Sequence, residues 1–190
     1  MTTAQDKAGD IGIDVAEAPG REAAKGDPSR EAAKGDPSRD AAEQELRRDA
    51  VTREVCRGVC RLLRDLGQAC IAELPLPNGR RADVVGLSPG GDLWIVEVKS
   101  SVEDFRTDHK WPEYRDFSDA LFFAVAPAFP VELLPPDTGL ILADRYGGEI
   151  VRPAPQTRLA PARRKAMTLR FAHCAALTLQ AVLDPALKIS

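Results

Sequence analysis

Between Glu45 and Leu66 the apolar residues Val51, Val55, Val59, Leu62, Leu63 and Leu66 recur at three- and four-residue steps. Arg47, Arg48, Arg53, Arg57 and Arg64 stand between them, which is the period of an amphipathic helix. Gly67 is placed to end it. Three short stretches of strand character follow: ACIAELPL, RRADVVGL after Pro77-Asn78-Gly79, and DLWIVEVKS after Pro89-Gly90-Gly91. Turns this short predict a three-strand meander. The third stretch is apolar at both parities up to Val96, as in a central strand covered on both faces. The polar, proline-broken segment SVEDFRTDHKWPEYRDFSD predicts one or two short helices before the apolar run ALFFAVA. GLILADR and GGEIVR form two more candidate strands around a turn at Tyr146-Gly147-Gly148. The alanine-rich segment from Pro161 to Leu183, with Met167, Phe171, Cys174, Thr178 and Val182 near one face, predicts a closing helix. The simplest layering of this order is an α/β fold, a mixed central sheet with a helix on each face.

Ahead of this pattern the chain changes character. The unit REAAKGDPS occupies positions 21 to 29, repeats at 30 to 38, and begins a third time as RDAAEQE. Its Gly-Asp-Pro-Ser interrupts any helix that Glu-Ala-Ala-Lys starts, and it has no large apolar side chain to bury. Residues 1 to 45 are therefore expected to be a disordered tail and residues 46 to 190 a single domain. The net charge of −3 divides unevenly, with −5 on the tail and +2 on the body, so an acidic whole does not exclude a phosphate-backbone partner. Cys56, Cys60, Cys70 and Cys174 show no disulfide-like or C-x-x-C spacing and no signal-like segment precedes them, which points to a reducing, cytoplasmic setting. Apolar runs are broken by charge or proline, and no membrane span is expected.

The candidate chemistry lies in acids placed inside strands: Asp83 in RRADVVGL, and Glu97 with Lys99 in LWIVEVKSS. Charges in apolar strands are unfavourable unless paired or bound to a cation. Glu97 and Lys99, two residues apart, face the same side of their strand, about 7 Å apart. If the strands of Asp83 and Glu97 are hairpin neighbours, the two carboxylates can converge, and a hard divalent cation would relieve their repulsion. The Val98 carbonyl is a further candidate oxygen ligand. Lys99 could position or polarise a water there, or steady charge developing on a phosphoryl group.

Asp83 followed by Glu97-Val98-Lys99 resembles the D-x(n)-[D/E]-x-K signature of the PD-(D/E)XK nuclease superfamily, with Ala82 where the name motif has proline. More narrowly, the segments ELPLPNGRRADVVGL, WIVEVKSSVEDFRTDHKWPEYRDFSDALFFAV, GLILADRYGGEIVR and RLAPARRKAMTLRFA are similar to the MmcB-like DNA repair proteins over roughly residues 50 to 180. The resemblance implies a restriction-endonuclease-like fold and a metal-dependent DNA nuclease in repair or damage tolerance. Asp83 and Glu97 would be ligands of Mg²⁺, with Mn²⁺ as a substitute, and Lys99 the catalytic lysine. A further acid is usual in the superfamily. Glu73 on the first strand is the preferred candidate, and Glu54 on the first helix the alternative.

Arg81, Lys110, Tyr114 and Arg115 are candidate contacts to a DNA backbone, with packing of Trp111 and Tyr114 on the sheet as the competing reading. Arg163-Arg164-Lys165 is either a solvated helix start or another DNA contact. Cys56 and Cys60, one turn apart, are taken as small core-facing residues, and His109 and His173 as surface or packing residues. Two functional classes follow: a Mg²⁺-dependent DNA nuclease, or a DNA-binding scaffold of the same fold that recruits repair proteins without turnover.

Overall fold

Six strands form one mixed sheet in the order β1-β2-β3-β4-β5-β6, and the computed structural model describes residues 37–186 around it. The strands are β1 (Ala69–Pro75), β2 (Arg81–Leu87), β3 (Leu93–Lys99), β4 (Ala120–Val125), β5 (Gly139–Ala143) and β6 (Gly148–Arg152). The helices are α1 (Pro37–Asp65), α2 (Val102–Thr107) and α3 (Pro161–Leu183), with 3₁₀ turns at Trp111–Phe117 and Val131–Leu133. β1, β2 and β3 are the antiparallel meander expected from their turns. β4 and β5 add in parallel and β6 closes antiparallel. β3 is central and buried along nearly its whole length, in keeping with its two-sided apolar pattern.

Alternation along the strands divides the core between the two faces. Val55, Val59 and Leu63 of α1 cover Val84, Val96, Val98, Phe122 and Ile141 on one face. On the other, Met167 and Phe171 of α3 and Tyr114 pack over Val85, Leu93, Ile95 and Leu121. Phe105 of α2, Trp111 and Phe129 close over Phe123, Val125 and Leu140 further along that face. Burial of these large side chains, each worth about 1.5–3 kcal/mol, is the main term holding the layers together.

Two boundaries differ from expectation. The helix expected from about Glu45 begins at Pro37, so residues 37–45 belong to α1 rather than to a tail. After Ser38 the third repeat has no further glycine or proline, its alanines favour helix, and Arg39 pairs with Glu43 one turn on at 3.4 Å. The rest of the expected tail, residues 1–36, lies outside the described residues. At the other end α3 has the expected limits, but only its first half covers the sheet: Val182 is 71% exposed and Thr178 is also exposed. By length and composition α3 is apolar enough to cross a membrane, contrary to expectation, although Met167 and Phe171 are buried in the core.

The β1–β2 hairpin carries one irregularity that bears on the site. Ala72 pairs with Val84 and Leu74 with Ala82, while Glu73 and Asp83 between them form no ladder pair. Glu73 has φ 59°, the left-handed region that disfavours a side chain. Ile71 and Val85 lie on the α3 face, and so do Leu74 and Ala82, so the alternation slips on both strands at this point. Asp83 is thereby released from the pleat next to the end of β3.

Candidate active site

The β2–β3 ladder runs from Leu87–Leu93 to Val84–Val96, and the next opposed residues are Asp83 and Glu97. There the backbone pairing gives way to a side chain: Val98 N–H donates to Asp83 Oδ2 at 2.8 Å. The hairpin-neighbour condition set by the sequence is thus met. Glu97 and Lys99 are 5% and 3% exposed, and Lys99 Nζ donates to Glu97 Oε1 at 3.0 Å. Glu97 Oε2 is buried with no hydrogen-bond partner, an arrangement that costs about 1–3 kcal/mol if nothing fills it.

Lys99 has two further acidic neighbours that the sequence reading did not single out. Asp108 Oδ2 accepts from Nζ at 2.6 Å, and Asp104 Oδ1 lies 3.9 Å away. Ser101 caps α2 by accepting from Asp104 N–H, and Asp108 is the C-cap, so both ends of α2 turn an acid toward the end of β3. Four-residue spacing puts Asp104 and Asp108 on one side of this short helix. That spacing, directly after the ExK strand, was the available signal. Together with Thr107, Lys110 and Tyr114, these residues line an open cleft of about 310 Å³.

Charge in this cleft is strongly perturbed. Burial, and then the neighbouring Asp83 charge, push the Glu97 carboxyl up to about 8. Burial raises Asp83 as well, against the lowering effects of the Val98 N–H and of Lys99. Desolvation alone would lower Lys99, but Glu97 and Asp108 reverse it and hold the ammonium well above its ordinary value. Asp108 is lowered: its own desolvation is outweighed by the Lys99 hydrogen bond and the Lys110 N–H.

The other expected site residues are dispersed. Glu73 is exposed, has a left-handed backbone and pairs with Arg81 at 2.8 Å, while its charge still reaches Asp83 on the neighbouring strand and raises that carboxyl. Arg81 is exposed in that pair, and Glu54 is exposed on α1. Among the described residues no group of three or more acidic, histidine or cysteine side chains is gathered for a metal. Tyr114 is 5% exposed, packs in the core and donates its hydroxyl to Arg81 O at 3.2 Å, and it reaches the cleft only as part of its wall. Arg115 is taken up by Asp137 at 2.7 Å and lies over the Trp111 ring, away from the cleft. Lys110 is exposed at the rim. Arg163 pairs with Asp116 at 2.9 Å and Arg164 with the buried Asp119 at 2.5 Å, so the basic start of α3 ties it to the domain.

A mixed sheet covered on both faces, with acids on adjacent strands and a buried lysine at the sheet's end, defines an α/β domain with a carboxylate–lysine site, compatible with the PD-(D/E)XK architecture. The family model of the MmcB-like DNA repair proteins matches residues 39–186, and the chain belongs to that family. The chain is also similar to a solved structure, the SPO1766 protein of unknown function from Silicibacter pomeroyi, at 46% identity and a TM-score of 0.70. That likeness covers 73% of this chain and 95% of the other. No curated protein matches the chain.

Proposed function

We propose that the chain is a Mg²⁺-dependent deoxyribonuclease of DNA repair or damage tolerance, with Mn²⁺ able to replace Mg²⁺. The observation that carries this is the buried, unpartnered Glu97 Oε2 beside Asp83 on the neighbouring strand. Two carboxylates completed by water suit Mg²⁺, which keeps several of its own waters and takes only one or two protein carboxylates. Asp83 and Glu97 would hold the ion, with the Val98 carbonyl as a further oxygen, and the bound ion would supply an activated water and charge neutralisation at the phosphoryl group. Lys99 keeps its proton in this setting and serves best as a fixed positive charge beside the phosphate, not as the base. Asp108 and Glu97 keep its ammonium in place.

The test is to incubate the protein with single-stranded, duplex, flapped and branched DNA, with and without Mg²⁺ or Mn²⁺. Asp83→Asn and Glu97→Gln are expected to lower both calorimetric Mn²⁺ binding and cleavage sharply. Lys99→Ala is expected to abolish cleavage while Mn²⁺ still binds, and Lys99→Arg not to restore it, because a planar guanidinium presents its charge differently. Unaltered Mn²⁺ binding and cleavage in Asp83→Asn would remove the proposed site.

The second reading, a DNA-binding scaffold without turnover, is favoured by the lack of a third acidic, histidine or cysteine side chain gathered with Asp83 and Glu97 among the described residues. Wild-type protein that binds Mn²⁺ and DNA but cuts none of these substrates would establish it.

A further inference from the structure

Outside the cleft, α1 carries a second concentration of charge. Arg53, Arg57, Arg61 and Arg64 are all exposed. At 100° and 1.5 Å per residue they lie within an arc of about 80° and along about 16 Å of the helix. Glu54 and Asp65 flank the stripe on its Arg61 side, about 20–40° beyond Arg61, and Asp65 lies 3.9 Å from Arg64 Nε in an exposed ion pair. Interaction of cations with the helix dipole accounts for Arg64 in the last turn, but not for arginines two and three turns earlier. Nor do those earlier arginines serve the fold. Arg39 pairs with Glu43 and Arg48 with Glu103, whereas Arg53 and Arg57 have neither hydrogen bond nor ion pair among the described residues.

Beside the stripe stands the β5–β6 turn. A Cβ on Gly58 of α1 would lie 2.1 Å from Asp144 O and 2.4 Å from Gly147 O, so only glycine lets the turn backbone rest directly on the helix. Arg61 donates to Tyr146 O at 3.0 Å and fixes the turn to the stripe. Asp144 is occupied by the turn's own backbone, accepting from Tyr146 and Gly147 N–H at 2.7 and 3.1 Å. At the tip Tyr146 is 68% exposed, and the Arg145 guanidinium lies 4.7 Å from its ring centroid on one face. An exposed aromatic ring next to a row of exposed guanidiniums, of which Arg53 and Arg57 have no partner among the described residues, matches what single-stranded nucleic acid presents, phosphates for the arginines and a base for the ring.

We infer that the ridge formed by Arg53, Arg57, Arg61 and Arg64 of α1, with Arg145 and Tyr146 of the β5–β6 turn, is a binding surface for single-stranded DNA. It rests on the reading of the chain as a protein that acts on DNA, and adds a second point of attachment outside the cleft of Glu97 and Lys99. Guanidinium forks suit phosphate oxygens, and a stripe of this length faces several successive phosphates.

The test measures fluorescence anisotropy of a labelled oligo-dT about twenty nucleotides long, and of a duplex of equal length, across a salt series in excess chelator. The Arg53→Gln/Arg57→Gln/Arg64→Gln triple variant spares Arg61, which holds the turn. It is expected to lose about tenfold or more in oligo-dT affinity and to show a salt slope shallower by about 2. Tyr146→Ala is expected to weaken oligo-dT binding about tenfold while Tyr146→Phe keeps it, and duplex binding is expected to be insensitive to either. Wild-type affinity and slope in the triple variant would overturn the ridge, and equal losses on oligo-dT and duplex would overturn its assignment to single strands. Chelator makes these readouts independent of cleavage. Wild-type protein that binds neither DNA would defeat the DNA reading as a whole, whereas binding that survives the triple substitution defeats the ridge alone.

Discussion

Lys99 and Asp108 are joined by a 2.6 Å charge-assisted hydrogen bond between the end of β3 and the C-cap of α2, shorter than the 3.0 Å contact of Lys99 with Glu97. Asp108→Asn removes the anion from this contact and leaves Glu97 as the near partner of a buried ammonium. Stability in denaturant is expected to fall by about 1–3 kcal/mol. Asp104→Asn weakens a 3.9 Å contact to Lys99 while its amide oxygen can still accept from Ser100 N–H and Oγ at 3.2 and 3.3 Å, and is expected to change stability by less than about 1 kcal/mol. Equal effects from the two substitutions would show that Asp108 does not hold the lysine.

Glu97 makes the stability of the chelated protein depend on pH. Burial, reinforced by Asp83, moves its ionisation from 4.5 to about 8. Between those values the folded chain keeps a proton that the unfolded chain releases. This contribution is therefore full below the unfolded value and is lost as pH rises through the folded one. Asp108 and Asp119 are shifted downward, so their contributions change on the acid side of the ordinary carboxylate range. The melting temperature in chelator is expected to fall between about pH 5 and about pH 8.5, and Glu97→Gln to flatten the fall. A wild-type profile that rises over this interval would contradict the buried, proton-holding Glu97.

Asp119 is the structural counterpart of the site at the other end of β3 and β4. Its buried carboxylate accepts from Leu93 N–H at 2.8 Å, Leu159 N–H at 2.9 Å and Arg164 at 2.5 Å. Asp119→Ala strands two backbone donors and a half-buried guanidinium, and is expected to destabilise by about 3–5 kcal/mol. Chemical denaturation measures this directly. A loss below about 1 kcal/mol would mean that α3 is held by Met167 and Phe171 without help from this pair.

Glu73 separates strain from ligation. Glycine at this position relieves the left-handed backbone at φ 59°, and the exposed pair with Arg81 that it removes is weak. Glu73→Gly is expected to stabilise by up to about 1 kcal/mol and to leave Mn²⁺ affinity and DNA cleavage unchanged. Loss of metal binding in this variant would restore Glu73 as the further acid.

The strands, their order and the central place of β3 were legible in the sequence because each rests on local facts: period-two alternation, two-sided apolar runs and turns too short for anything but hairpins. The same locality made Asp83, Glu97 and Lys99 visible as charges inside apolar strands, and β2–β3 pairing then brought their positions together. The start of α1 is hidden in the sequence because Gly-Asp-Pro-Ser dominates the repeat, while the short run after Ser38 is free to follow its own helical preference. What tertiary structure alone decided is which partner each charge finds. Asp104 and Asp108 reach Lys99 because α2 packs against the end of β3, and Arg164 is spent on Asp119 forty-five residues earlier in the chain. Tyr114 is packed into the core beside the cleft, with its hydroxyl on Arg81 O, and Glu73 is turned to Arg81 by one left-handed residue. Side-chain periodicity tells which face a residue takes, but the sign and distance of its neighbours depend on how separate elements are brought together, and that is where the function of a charged residue is set.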